Sequence, residues 1–432
     1  MERQFHLRER RRTYLRPVKN IIQSFRKLKE LPQNVWAVGI TSFFMDVSSE
    51  MIINIIPLFL ANVAGVSTGI IGFIEGIGDT TASLLKLISG WLSDKLRARK
   101  WLAVFGYALS AFSKPFFYFA SSWGIIAGVK WADRVGKGIR TSPRDALVAD
   151  SVTKETRGIA FGLQKTLDSA GAVLGFLIAA LVVWVAQKNS LLLSKNTFQI
   201  IVLFSIIPAI LSVISLAVGA KDVGTKKDAL LPKITFKDLG KPFMIYLVIV
   251  SLFTLGNSSD AFLVLRAQNL GISIVGIFLM LAMFKLIYSL VSVPAGSLSD
   301  SVGRRKVIIG GWLVYAVIYL GFAFANSAWQ VWLLYVVYGL YYGLAFGTAS
   351  AFVADLVPSH MRGTAYGTYN AIIGLLALPA SLLAGILWQG AGSWHGFGPS
   401  APFLFGGTLA LIAVLLMAFV MPEMREKDVE IK

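Results

Sequence analysis

The residues of this chain best suited to chemistry are charged groups set inside long apolar runs. Asp46 and Glu50 stand one helical turn apart, as do Glu75 and Asp79. Asp133, Arg134, Lys137 and Arg140 follow at three- and four-residue steps, and then Lys165 and Asp168. The second half of the chain keeps fewer: Asp260, Arg266 and Lys285. An ionisable side chain at mid-bilayer costs at least about 2.5 to 3.5 kcal/mol, so a cluster of this size points to ligand binding or proton coupling. Bond-making chemistry finds little support. Cysteine is absent, and His6, His360 and His395 lie far apart, so no metal site is expected. Gly136-Lys137-Gly138 lacks the glycine spacing and hydroxyl residue of a phosphate-binding loop. Ser142-Pro143-Arg144-Asp145 shows no nucleophile-and-base spacing and reads as a turn at a helix end. The expectation is a protein that is not an enzyme and carries no cofactor.

The elements that hold these charges are membrane helices. Of 432 residues 56% are hydrophobic and 15% charged, with a mean hydropathy of +0.68, where a soluble domain carries about 25% charged residues. A hydrocarbon core about 30 Å thick is crossed by roughly 20 apolar residues in a helix. The apolar runs predict an all-α integral membrane protein with twelve spans, near 34–62, 67–94, 101–120, 123–144, 157–186, 197–219, 242–266, 272–299, 306–325, 328–355, 361–389 and 401–421. Counted at 1.5 Å per residue from the span ends, Arg134 and Asp168 lie roughly 16 Å deep and Asp46 and Asp79 about 18 to 22 Å deep, so the four are expected to share a layer.

Connections after even-numbered spans are basic: Lys95, Arg97, Arg99 and Lys100, then Arg304, Arg305 and Lys306, with six lysines from Lys221 to Lys241. Ala61-Asn-Val-Ala-Gly65 and Phe324-Ala-Asn-Ser-Ala-Trp329 carry none. The positive-inside rule then puts both termini in the cytoplasm of a plasma membrane, of the bacterial inner-membrane kind. The expected domains are a basic cytoplasmic segment 1–33, a six-helix bundle 34–219, a cytoplasmic linker 220–241, a second bundle 242–421 and a tail 422–432. The formal charge of +18 sits in the tail and loops, so membrane lipid, not nucleic acid, is the expected counterion. Around Ile21, Ile22, Phe25 and Leu28 the apolar spacing fits an interfacial helix, beside the plainer reading of a basic tail that fixes topology.

The chain also repeats itself. Ala146-Leu-Val-Ala-Asp150, Arg157-Gly158 and Ala160-Phe-Gly162 recur 205 residues later as Ala351-Phe-Val-Ala-Asp355, Arg362-Gly363 and Ala365-Tyr-Gly367. Under the same shift Arg134, Lys137, Arg140 and Arg144 meet Gly339, Tyr342, Ala345 and Ala349, and Asp168 meets Ile373. The scaffold is repeated and the charges are not, which argues that the first-half cluster serves binding or coupling rather than the architecture of a half. Lys285 falls opposite Asp79 when Asp94 and Asp300 are aligned, and Ser258-Ser259-Asp260 echoes Ser48-Ser49-Glu50. A cavity with Lys285 and Arg134 on its walls favours an anionic or zwitterionic ligand, with Tyr338, Tyr341, Tyr342, Tyr366 and Tyr369 as candidate lining.

Gly296-Ser-Leu-Ser-Asp300 followed by Gly303-Arg-Arg-Lys306 closes one helix and opens the next, and it resembles the signature loop of the major facilitator superfamily. Gly90-Trp-Leu-Ser-Asp94 is a first-half copy, with Arg97 and Ala98 where glycine and arginine stand in the second. The resemblance implies two six-helix bundles related by pseudo-twofold symmetry. It also implies a cytoplasmic gate in which Gly90, Asp94, Arg99, Gly296, Asp300, Gly303, Arg304 and Arg305 form latches that break as the halves rock. Asp150 beside Arg157 and Asp355 beside Arg362 are expected to add further gate pairs. The function read from all this is secondary active transport of a small polar or amphipathic solute by alternating access, coupled to protons, by a monomer. Asp46, Glu50, Asp79, Asp133, Arg134, Lys137, Asp168, Asp260 and Lys285 are the expected substrate or coupling residues. A multidrug or metabolite efflux antiporter, and a transporter-like receptor that binds without moving its ligand, stand as alternatives.

Overall fold

Apolar runs in a medium without water must satisfy their own backbone, and helices do this within a single segment. The computed structural model describes residues 30–96, 98–153, 156–223, 239–358 and 361–421, with backbone only at 293–301 and 345–347. The basic segment before residue 30, most of the linker and the tail after 421 lie outside the described residues, and with them the interfacial-helix reading.

Twelve helical segments follow in order: α1 Gln33–Asn62, α2 Thr68–Leu96, α3 Arg99–Ser113, α4 Trp123–Ser151, α5 Arg157–Gln187, α6 Lys195–Gly219, α7 Lys241–Asn269, α8 Ile274–Val302, α9 Arg304–Phe324, α10 Ala328–Asp355, α11 Arg362–Gln389 and α12 Ala401–Phe419. Among the described residues nine of them are long and apolar enough to cross a membrane. The three that fall short, α2, α3 and α4, bear Glu75, Asp79, Lys130, Asp133 and Arg134, with Lys114 in the 3-10 turn that follows α3. Outer faces carry exposed Phe105, Phe112, Trp131, Leu181, Ile207, Val317 and Leu415, a surface suited to lipid tails.

The halves join through two pseudo-symmetric pairs, α2 along α11 and α8 along α5. Small residues set the first contact: a Cβ on Gly72, Gly76 or Gly385 would collide with the backbone of Ser381, Leu378 or Thr68. Bonds that tie the halves begin at the end away from the 96–99 and 302–304 turns. There Gln389 Oε1 accepts from the Thr68 N–H at 2.8 Å, Gln268 donates to the Leu191 carbonyl at 2.7 Å, and the Ile274 N–H donates to the Ser190 carbonyl at 3.1 Å. They continue to mid-helix, where Thr80 donates to the Gly374 carbonyl at 2.6 Å.

Two helices are interrupted. In α1 a 3-10 turn at Ile53–Ile55 precedes Pro57. In α7 the helix stops at Gly256 and resumes at Ala261; the Tyr315 hydroxyl lies 3.2 Å from both the freed Gly256 carbonyl and Asn257 Oδ1. One expectation fails at α4. Pro143 lies inside the helix, which runs to Ser151, so Ser142-Pro143-Arg144-Asp145 is not a turn. Proline forgoes its bond to the Ile139 carbonyl, but Leu147 and Val148 beyond it are fully buried and keep the helix packed.

Candidate functional site

Charges of α2, α4 and the turn after α3 assemble into three pairs, two of them buried on both sides. Lys130 bonds Glu75, whose second oxygen accepts from Ser259 Oγ at 3.3 Å across the interface between halves. Lys114 lies 3.9 Å from Asp133 and donates to Ser49 Oγ at 3.1 Å. Arg134 lies 3.6 Å from Asp79. Lys114 and Lys130 are each 1% exposed, so these are charges taken wholly out of solvent, and removal of one partner strands the other. Neither lysine was singled out from the sequence. Lys130 sits one turn before Asp133 and Arg134, a spacing that extends the α4 stripe backwards; Lys114 follows an apolar helix and has no such companion.

Among the described residues no ion pair joins Arg134 to Asp168: Arg134 pairs with Asp79, and Asp168 Oδ1 is buried without a hydrogen-bond partner. The charged neighbours of Asp46 are Asp168, Glu50, Lys285 and Lys137. Lys285 lies 3.5 Å from Glu50, which also accepts from Asn54 at 2.5 Å. That ion pair runs from α1 to α8 and so joins the halves.

Around it lies a cavity of about 380 Å³. Asp46, Glu50, Asp133, Arg134, Lys137, Asp260 and Lys285 all line it, so seven of the nine residues read from sequence converge. Asp79 and Asp168 are not in that lining; Asp79 pairs with Arg134, and Asp168 is a charged neighbour of Asp46. Arg140 and Lys165 complete the charged lining, with Phe176, Leu281, Phe284, Tyr288 and Tyr342 as its apolar side. Asp260 accepts from the Tyr338 hydroxyl at 2.7 Å and the Tyr342 hydroxyl at 3.4 Å. Arg140 sits over the Tyr107 ring at 4.7 Å and Lys165 over Tyr288 at 5.3 Å. Lys137 has Arg134, Lys86, Arg140 and Asp79 for charged neighbours. The lining thus presents a row of cations on α4, suited to a negatively charged group.

At the turn end the repeat is written in ion pairs. Arg99 bonds Asp150 and lies 2.9 Å from Asp94, and it donates to the Ala146 carbonyl at 3.0 Å. Its counterpart Arg304 pairs with Asp355 at 2.6 Å and donates to the Ala351 carbonyl at 2.7 Å. The expected partners Arg157 and Arg362 instead point at the Ala149 and Ala354 carbonyls, at 3.4 and 3.3 Å, just before the ends of α4 and α10. Arg305 holds the Met417 and Ala418 carbonyls at the end of α12, at 3.1 and 2.7 Å. Helices α3 and α9 start at Arg99 and Arg304, so Ala98 corresponds to Gly303. Gly303 turns at φ 99°, whereas Ala98 reaches the same entry at φ −123°. Gly90 packs α2 against Ser142 of α4. The side chain of Asp300 and the surroundings of Gly296 lie outside the described residues.

The family model of the Major Facilitator Superfamily matches residues 38–265 and 244–432. The chain belongs to that superfamily. Among the relatives of this superfamily member, an uncharacterized MFS-type transporter of Methanocaldococcus jannaschii, MJ1317, is 34% identical over 398 residues, 91% of this chain and 96% of that one. The crystal structure of the nucleoside transporter NupG matches with a TM-score of 0.75 at 12% identity, over 90% of this chain and 100% of that chain. The crystal structure of a D-xylose-proton symporter matches with a TM-score of 0.71 at 15% identity, over 90% and 98%. These establish the fold, two six-helix bundles about a pseudo-twofold axis. This superfamily member has a second cavity, about 190 Å³, on the α7, α9, α10 and α11 side. Phe253, Trp312, Tyr341, Tyr342 and Tyr369 face it with Asn257 and Asn370, and among the described residues none that lines it is charged.

Proposed function

We propose that this protein is a secondary active transporter that moves a small polar or amphipathic solute, anionic or zwitterionic, by proton-coupled alternating access. The observation that carries this reading is the charged cavity spanned by Glu50 of one half and Lys285 of the other. An ion pair across two bodies that move apart is a two-state element, and a ligand anion that competes for Lys285 biases it. Asp46 and Asp168 are the proton carriers in this reading: they are neighbouring carboxylates of like charge, and Asp168 has an unpartnered oxygen. Arg134 and Lys137 supply cationic partners that take or release the carboxylates and the substrate.

Ties between the halves at the end away from the signature turns support an inward-facing state, if the basic loops are cytoplasmic as the positive-inside rule has it. Asp94, Arg99, Asp150, Arg304 and Asp355 then act as the gate on that side. The test is flux into proteoliposomes holding this protein alone, under an imposed pH gradient, with a panel of organic anions, zwitterions and cations. Saturable, gradient-driven uptake of anions or zwitterions is expected. Asp46→Asn and Asp168→Asn should abolish accumulation and spare exchange; equal loss of both sinks the coupling role. Binding without any flux would favour the receptor reading.

A further inference from the structure

The neutral cavity is the repeat-mate of the charged cluster. Shifted by 205 residues, Lys137, Arg144, Asp145, Lys165 and Asp168 fall on Tyr342, Ala349, Ser350, Asn370 and Ile373. All five of those residues line the neutral cavity. Tyr107, under the Arg140 guanidinium, likewise falls on Trp312. Scaffold positions that carry charge in one half therefore carry aromatic, hydroxyl, amide or aliphatic groups in the other. The two cavities share one wall: Tyr342 lines both, its hydroxyl directed at Asp260 in the charged one.

We infer that the neutral cavity is a second subsite of the same binding site, and that the substrate is an organic anion whose charged group faces the α4 cations while a flat neutral portion enters between α7, α9, α10 and α11. This rests on the transport reading above and narrows its substrate class. The walls match such a group. Trp312 stacks on Phe253 at 4.5 Å, which fixes its ring, and Tyr341 and Tyr369 bring further ring surface. Asn257 Oδ1 is engaged by the Tyr315 hydroxyl, which leaves its amide N–H groups to donate; Asn370 donates to the Tyr366 carbonyl at 2.8 Å, which leaves its amide oxygen to accept. A planar ring with both an acceptor and a donor on its edge satisfies both. Volumes of about 380 and 190 Å³ together suit a ligand larger than a simple carboxylate.

The test is calorimetric binding to the purified full chain in detergent with two matched sets. One set is uridine 5′-monophosphate with uridine and ribose 5-phosphate; the other is indole-3-acetate with indole-3-ethanol and acetate. In at least one set the combined compound should bind at least about tenfold tighter than either half, because the second contact forms at high effective concentration. Trp312→Leu should reduce it to the level of its anionic half and leave that half unchanged. Asn370→Ala, at an exposed side chain that folding does not depend on, should weaken the combined compound roughly threefold or more. Combined compounds that bind no better than their anionic halves in both sets, including no binding at all, overturn the inference, as does equal weakening of the anionic half by Trp312→Leu. Gradient-driven flux of an anion in proteoliposomes alongside that result leaves the transport reading standing and this one fallen.

Discussion

Glu50 and Lys285 are each partly exposed, 20% and 27% at the side chain, so their pair feels both the cavity water and the low dielectric around it. Glu50→Gln should leave Lys285 without its carboxylate and lower stability by about 1 to 3 kcal/mol, read as a fall in unfolding temperature in detergent. The double variant Glu50→Gln with Lys285→Met should recover part of that loss, since no lone charge remains; additive losses would show that the two do not interact. Lys130→Met should cost more than Glu50→Gln, because Glu75 would be stranded at 4% exposure with only Ser259 to answer it. At this scale the sequence showed which groups are charged inside the membrane but not whom they meet. Partner choice depends on how each helix is rotated and packed against its neighbours, which spacing along one chain does not give.

Among elements, α2 packs along α11 at the end away from the signature turns, and in the transport reading proposed above this pair governs closure there. Gly76→Val would press a side chain into the Leu378 backbone and hold these helices apart. The chain has no native cysteine, so single reporters are clean. A cysteine at Thr68, buried beneath the end of α11, should become reactive to a bulky maleimide in Gly76→Val protein and stay protected otherwise; unchanged protection would remove α2–α11 from the closure. Most elements were legible because, among the described residues, nine of the twelve runs are long and apolar enough to span, and the repeated Ala-x-Val-Ala-Asp, Arg-Gly and Ala-aromatic-Gly blocks marked the two halves. The break in α7 was not, since Ser258-Ser259-Asp260 echoes Ser48-Ser49-Glu50, which α1 carries in regular α-helix. At the break the Tyr315 hydroxyl lies 3.2 Å from the freed Gly256 carbonyl and from Asn257 Oδ1, a tertiary contact that local spacing does not announce.

Taken whole, the molecule is two similar bodies tied at one end. A disulfide between Asn189→Cys and Ser273→Cys, whose native side chains are hydrogen-bonded across the halves, should lock that end and cut flux at least about tenfold, with reductant restoring it; undiminished flux in fully cross-linked protein would refute rocking about this contact. The repeat made the two-body plan readable in advance, whereas the contrast between a charged and a neutral cavity needed both bodies in place. One further consequence concerns the surroundings. Helices α2 and α4 each have 29 residues, about 43 Å of helix, against roughly 30 Å of hydrocarbon. Asp94 and Asp150 sit near the ends of these helices, 40% and 31% exposed at the side chain, with Arg99 between them, and mobile ions shorten the reach of such exposed charges to about 8 Å at physiological strength. In the transport reading proposed above, ionic strength and the proportion of acidic lipid, which offers Arg99 a rival anion, are expected to tune these pairs and with them the resting balance of the carrier.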